Sequence, residues 1–352
     1  MPELLPHPVW FIYPRPGRFR DIFERPPSGG PIDPGTRPGE FWDNSDCWIM
    51  LTYVYLSQIY TNVSLSRTLI PDAINVVQVT DLGIRAYSPK SYVVSCRSDG
   101  QRPTLCDRVI VQNPQNVVAA TDHYVPHWPQ PGLIPRAAGR GDRVSCVSFK
   151  GSINNLYERF RGEEFRQGLN RLGVALRIDD KPADKRQLRW HDYEEVDVVL
   201  AIRDLTAADY LIKPASKLVN AWHAGVPAIL GPEPAFQALR RSDLDYIEVR
   251  TPDEAVEAVR RLAAQPELYR AMVQNGRERA REYTPQRIAA RWAEVLSGPV
   301  ATDFERWRGR RALRRLTGPL RWMTRSVSHL VARRTYRYSR DHGPRPLSGR
   351  TT

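Results

Sequence analysis

The sequence predicts an α/β protein of two Rossmann-like, doubly wound domains that ends in a basic helical tail. Three observations predict it. Apolar stretches of strand length alternate with amphipathic stretches of helix length, the signature of repeated β-α units on a parallel sheet. A Pro-rich run from Val125 to Gly141 has no periodicity and separates two such alternations. The length of 352 residues suits two domains, at roughly 100–200 residues each. The expected layout is an N-terminal domain over 1–125, a linker over 126–142, a second domain over 143–298 and a tail over 299–352.

In the first half, Val9–Tyr13 reads as a strand and Cys47–Gln58 as a helix. Val63–Ser66, Ile74–Val79, Tyr92–Ser95 and Val109–Gln112 are further strands. The intervening loop, Pro14–Asn44, is rich in Pro and Gly, and loops of that length in compact domains are usually functional or disordered.

In the second half, Arg143–Phe149 is a strand followed by a helix over about Leu156–Leu172. Val174–Ile178 and Asp197–Arg203 are the next strands, the latter nearly all apolar, as a strand buried on both faces should be. A helix over Lys217–Ala224 ends at Gly225, and Pro227–Leu230 is a strand. A helix near Ala235–Arg241 and a strand at Tyr246–Val249 follow. Thr251-Pro252-Asp253-Glu254 starts a helix, with Thr as cap, Pro at the first position and Glu closing a capping box. Val256, Val259 and Leu262 line its buried face. Thr284-Pro285 opens another helix, which Gly298-Pro299 should stop.

Composition excludes several classes. Four cysteines without a C-x-x-C pair argue against a disulfide scaffold or a structural zinc, and a reduced cytosolic setting is expected. The longest apolar stretch, Trp48–Leu56, is far short of the ~18 residues a spanning helix needs, and the N-terminus has no signal-peptide pattern. Net charge is +13, yet the last 50 residues hold 14 arginines, no lysine and three acids, leaving only +2 on the first 302. A nearly neutral body does not read as a nucleic-acid-binding surface, and no specific nucleic-acid partner is expected.

The segment richest in chemistry is KPASKLVNAWHAGVPAILG, Lys213–Gly231, which runs from a loop through a helix to a buried strand. Free N–H groups and the dipole at that helix start, Ser216 as cap, and Lys213 and Lys217 together favour an anion such as a diphosphate. Solvated lysines at an ordinary cap are the plainer reading. Lys150-Gly151, directly after a parallel strand, pairs an ammonium with a backbone N–H for a phosphate, against a simple turn with an exposed lysine. Arg203 ends a strand of the same sheet and should share that rim, unless it pairs with Asp204 or Asp209.

NAWHAGVPAILG resembles the E-A-M-A-x-G-x-P-V-I element of GT-B glycosyltransferases, whose helix borders the nucleotide of the sugar donor. The resemblance extends over about 143–298, including VSFKGS at the place of the family's phosphate loop and a closing pattern that ends in Trp292. It is weaker in the N-terminal half, where PPSGG puts Gly29 and Gly30 at the place of a Gly-Gly donor loop. Two domains of this kind imply a cleft at the carboxyl ends of their sheets. The implied donor-binding residues are Gly29, Gly30, Lys150, Gly151, Arg203, Lys213, Ser216, Lys217 and Asn220. Many retaining members carry an E-x7-E pair; here Asn220 stands at the second position and Ile212 eight residues before it. Asn220 can still bond a ribose hydroxyl, but the first glutamate's contact is missing.

No catalytic residue is identified. His123 and Asp81 are the candidates for acid–base work, against a hinge residue and a helix cap respectively. In the tail, Leu313, Leu316, Leu320, Met323, Val327 and Leu330 follow a helical spacing with arginines mostly off the stripe. Gly318-Pro319 should split it into two helices. With Trp307 and Trp322, residues 303–340 suit an anionic membrane surface, against a terminal helix packed back on the fold. The expected activity is transfer of a sugar from a nucleotide-sugar donor to a hydroxyl of a glycan or lipid-linked acceptor, without metal or other cofactor. It would take place in the cytoplasm or at the inner membrane face, in glycan, glycolipid or surface polysaccharide synthesis. A GT-B-like sugar-nucleotide epimerase, a polyol-phosphate transferase and a non-catalytic membrane- or nucleic-acid-binding scaffold are the alternatives.

Overall fold

The computed structural model describes residues 3–25 and 30–348, apart from the side chain of Arg186. The chain divides into two compact units. The first comprises residues 1–34, 41–127 and 285–341, and the second 35–40, 128–284 and 342–352. The predicted linker from residue 128 onward therefore belongs to the second unit, and the segment 285–298 to the first.

The first unit opens with β1 (Val9–Ile12), α1 (Arg20–Phe23) and, after a π-turn over Asp46–Met50, α2 (Leu51–Ser57). β2 (Val63–Ser66), β3 (Ile74–Gln78), β4 (Tyr92–Cys96), β5 (Arg108–Val111) and β6 (Asp122–Tyr124) complete a parallel sheet of order β2-β1-β3-β4-β5-β6. β3 and β4 are buried along their whole length, as central parallel strands are. The three-residue β6 is too short to carry a periodic signal in the sequence.

The second unit runs β7 (Cys146–Lys150), α3 (Glu163–Asn170), β8 (Ala175–Asp179), β9 (Val198–Ala201), α4 (Ala207–Tyr210) and α5 (Ser216–Ala224). β10 (Ala228–Leu230), α6 (Pro234–Leu239), β11 (Ile247–Glu248), α7 (Pro252–Ala264) and α8 (Pro266–Ala280) follow. The parallel sheet has the order β11-β10-β9-β7-β8, with β7 as the strand from which the winding reverses. The long helix expected after β7 is shorter: Ile153–Asn155 and Glu158–Phe160 are single 3₁₀ turns, and α3 starts after an extended Gly162. The reason is tertiary. Tyr157 N–H donates to the Ile202 carbonyl at 2.9 Å, and Leu156 and Phe160 are buried, so this stretch is held across the sheet end. The linker is clamped by Asp197, which accepts from Arg136 Nε at 2.9 Å and from Arg140 Nη2 and Nε at 2.7 and 2.8 Å.

The chain returns to the first unit as α9 (Pro285–Val295), α10 (Ala301–Gly309) and α11 (Arg311–His342). Trp292 is fully buried there against Phe11 and Trp48, at centroid distances of 6.1 and 6.2 Å. Two expected helix stops fail. Gly298-Pro299 lies in a π-turn, Leu296–Val300, that joins α9 to α10. A π-turn shifts each carbonyl's donor one residue on, so the proline's missing N–H is tolerated. Pro319 sits inside α11, and the break falls instead at Gly309–Arg310. A proline inside a helix costs about 3 kcal/mol, and ion pairs from the same helix offset it: Arg314 to Asp72 at 3.4 Å, Arg325 to Asp107 at 3.1 Å, and Arg321 to Asp107.

Candidate functional site

In doubly wound sheets, ligands bind outside the carboxyl ends of the strands where the winding reverses. In the second unit that point lies between β7 and β9, so the relevant residues are Lys150-Gly151 and Ile202-Arg203.

Gly151 has φ +149°, a left-handed-side conformation that favours glycine. A side chain there would press on Lys217, whose ammonium lies 3.2 Å from the position a Cβ would take. The loop after β7 and the start of α5 are thus in contact, and the Lys217 ammonium also stands 5.4 Å from the Phe149 ring centre. α5 is fixed by its buried residues Leu218, Ala221 and Trp222, and Trp222 packs closely on Gly276 of α8. Its C-terminus is set by Gly225 at φ +69°, as the sequence predicts. At the N-terminus Ala215, not Ser216, holds the cap position, and no side chain caps the helix. The first-turn N–H groups are therefore not closed by a serine, which keeps the positive end of the dipole directed at the loop. Lys213, Ser216 and Lys217 are half-buried along this edge.

Three predicted donor residues have other work. Lys150 is 4% exposed, its ammonium bonded to Asp179, to the Asp192 carbonyl and to the Arg189 carbonyl at 3.3 Å. Burial lowers its pKa, and Asp179 opposes that shift. It braces β7 and β8 rather than facing a ligand. The Gly151 N–H donates to the Asp179 carbonyl at 3.2 Å, so the loop does not offer this donor to a ligand. Asn220 is nearly buried, and its Oδ1 accepts from Gln130 N–H at 3.0 Å, tying the linker to α5.

Arg203 does reach the rim. It pairs with Glu233, fully buried, through Nε to Oε1 at 2.8 Å and a second bond from Nη2. Glu233 follows β10, and Gly231-Pro232-Glu233-Pro234 has no pattern that marks a carboxylate for pairing across the sheet. Arg203 and Glu233 therefore close the rim beside the switch point with their charges matched.

The first unit reverses its winding between β1 and β3. There Arg15 binds Asp43, Ser45 Oγ at 2.7 Å and Asp81 Oδ1 at 3.2 Å, while Arg18 binds Asp46 at 2.7 Å. Tyr13 OH donates to Asp46 at 2.6 Å. Burial, and then the Asp43 charge, pushes the Asp46 carboxyl up to about 7. Asp81 is thus an ion-pair partner of Arg15, not a helix cap. His123 lies on the edge strand β6, far in strand order from this point, with Nε2 buried and unpartnered among the described residues. Burial first, then Arg108, pushes its pKa down, so it is neutral at neutral pH. The structure does not bring His123 and Asp81 together. Gly30 is exposed with open space around it, and Gly29 lies outside the described residues.

Residues 189–294, which hold α5, Arg203 and Glu233, match the family described as glycosyl transferase-like. The two Rossmann-like units and this match agree on one architecture. The described chain has two Rossmann-like, doubly wound units, and a segment of it is glycosyl transferase-like. Solved structures similar to it include TarM, at 9% identity over 73% of this chain and 59% of that one (TM-score 0.47). Sucrose-phosphate synthase from Thermosynechococcus elongatus is 17% identical over 65% and 74% of the two chains (TM-score 0.48). HepE of Anabaena, solved with UDP, is 11% identical over 82% and 98% (TM-score 0.48). No curated protein matches the sequence. The matched segment contains the helix whose N-terminus meets the glycine loop, while that loop lies before it.

Proposed function

We propose that the chain transfers a sugar from a nucleoside-diphosphate sugar to a hydroxyl of a glycan or lipid-linked acceptor. The observation that carries this reading is the meeting of Gly151 with Lys217 at the start of α5, at the switch point of a glycosyl transferase-like unit. A diphosphate leaving group gains charge as the glycosidic bond breaks. An uncapped helix terminus and a lysine ammonium already in place stabilise that charge without reorganising, the kind of contribution that usually dominates. Lys213 adds charge on the same edge, and Arg203 is held rigid by Glu233 beside it. No general base is assigned: Asp81 is bonded to Arg15, and His123 lies off the switch point.

Calorimetric titration with UDP, GDP and CMP, each against its nucleoside, tests the reading. One nucleotide should bind, and Lys217→Ala should weaken it at least about tenfold, as expected for a lost charge-assisted contact of roughly 1.5–3 kcal/mol. The nucleoside should be unaffected. Gly151→Val should abolish binding by filling the loop. Equal losses for nucleotide and nucleoside would show that Lys217 does not see phosphate.

A further inference from the structure

We propose that the outward face of α11 rests on an anionic lipid bilayer. The inference stands apart from the sugar-transfer reading. An amphipathic terminal helix normally turns its apolar side inward, and α11 does the reverse. Gly318, Ser326 and His329 are its buried residues, and Arg314, Arg321 and Arg325 on the same side reach Asp72 and Asp107. Leu313, Leu316, Leu320, Met323, Val327 and Leu330 face away, each more than half exposed. They fall on one side of the helix at alternating spacings of three and four, a stripe about 25 Å long at 1.5 Å per residue. A contiguous apolar stripe of that kind marks an interaction surface.

Charge selects the occupant. Residues 306–340 contain 12 arginines and no acid. Arg310, Arg315, Arg333, Arg334 and Arg337 have no acidic partner among the described residues. A second copy docked on the stripe would set these arginines against their own kind, a costly juxtaposition. Nucleic acid would satisfy the arginines and leave the leucines in water. An anionic leaflet takes both: acyl chains for the stripe, headgroups for the guanidiniums. No described helix is long and apolar enough to cross a membrane, so α11 lies in the interface plane. Trp307 plays no part, being buried against Phe304 and Tyr92, whereas Trp322 is 41% exposed.

Sedimentation of the full chain with phosphatidylcholine vesicles, with and without phosphatidylglycerol, tests the proposal. The chain should pellet with the anionic vesicles alone and be released by salt. Arg333→Gln/Arg334→Gln/Arg337→Gln should weaken partitioning by about a hundredfold, at ~1 kcal/mol per arginine. Leu316→Glu/Leu320→Glu/Val327→Glu should weaken it at least as much, with melting temperature and nucleotide titration unchanged. Equal binding to neutral vesicles, no binding to either, or wild-type binding by the glutamate variant would overturn the proposal. So would a wild-type dimer that the glutamates dissociate, which would put a second copy on the stripe. Capture of a random oligonucleotide in preference to anionic vesicles would assign the arginines to nucleic acid and overturn it too.

Discussion

Two helices, α7 and α11, carry similar patterns of apolar and arginine residues and fold in opposite senses. α7 lays Ala255, Ala258, Val259 and Leu262 on the second sheet's core, together with Phe149 and Leu169, and leaves Arg260 in solvent beside Glu257. α11 lays arginines on the first unit and leaves its leucines in solvent. The difference lies in the receiving surface. Under α7 there is apolar side chain to meet. Under α11 there are Asp107, almost wholly buried, and the Tyr87 hydroxyl, both bonded to Arg325. Amphipathic spacing says that a helix has two faces; it does not say which one the fold will cover.

The strongest way to break this comparison is to remove the acid. Asp107→Ala leaves Arg321 and Arg325 against the protein without their shared carboxylate, and should cost about 3–5 kcal/mol in urea unfolding. Amide exchange along α11 should accelerate while α7 stays protected. Uniform exchange across both helices would show that the ion pairs are not what holds α11. Leu262→Ala, the matched deletion in α7, should cost about 2–5 kcal/mol through the cavity it opens.

Charge burial in the first unit has a pH signature as well. The Asp46 carboxyl titrates at about 7 in the fold, against about 3.9 in an unfolded chain. Between those values the native chain keeps a proton that the unfolded chain releases. Its contribution to stability therefore falls as pH rises from about 4 to about 7 and is flat above that. Asp46→Asn should remove this slope from urea midpoints measured across the range. A slope of equal size in the variant would assign it elsewhere.

Smaller effects sharpen the contrast. Thr251 Oγ1 accepts from Glu254 N–H at 3.3 Å, so Thr251→Ala should cost about 1 kcal/mol. Leu320→Ala on the outward stripe of α11 should change stability by no more than about 0.5 kcal/mol, as solvent-facing substitutions do. A loss of 2 kcal/mol or more, by the cavity scale of buried leucines, would mean that the stripe is covered within the chain.

Most of the sheet framework was legible because parallel strands buried on both faces leave continuous apolar runs. Ile74–Gln78, Tyr92–Cys96 and Val198–Ala201 lie where those runs predict them. The 3.6-residue period and the punctuation at Thr251-Pro252 and Gly225 likewise located α7 and the end of α5. The glycine after β7 and the lysine in the first turn of α5 were each legible as a candidate, but their contact with one another was not. Each is marked by its place at the end of a strand or the start of a helix.

What the sequence determined by itself is local: which segments become strands and helices, where turns demand glycine, and that the tail is both basic and amphipathic. Tertiary structure alone decided which charges are used up. Lys150 on Asp179, Arg203 on Glu233, Asp81 on Arg15 and Asn220 on the Gln130 backbone are all partnered across 29 to 90 residues of chain. No local pattern encodes such partners, because a polar group entering the interior must be paired by whatever the fold brings beside it. The same holds for Gly298-Pro299 and Pro319. Their helix-breaking tendency of a few kcal/mol is an intrinsic property; the π-turn accommodates Pro299, and the acids that hold α11 offset Pro319.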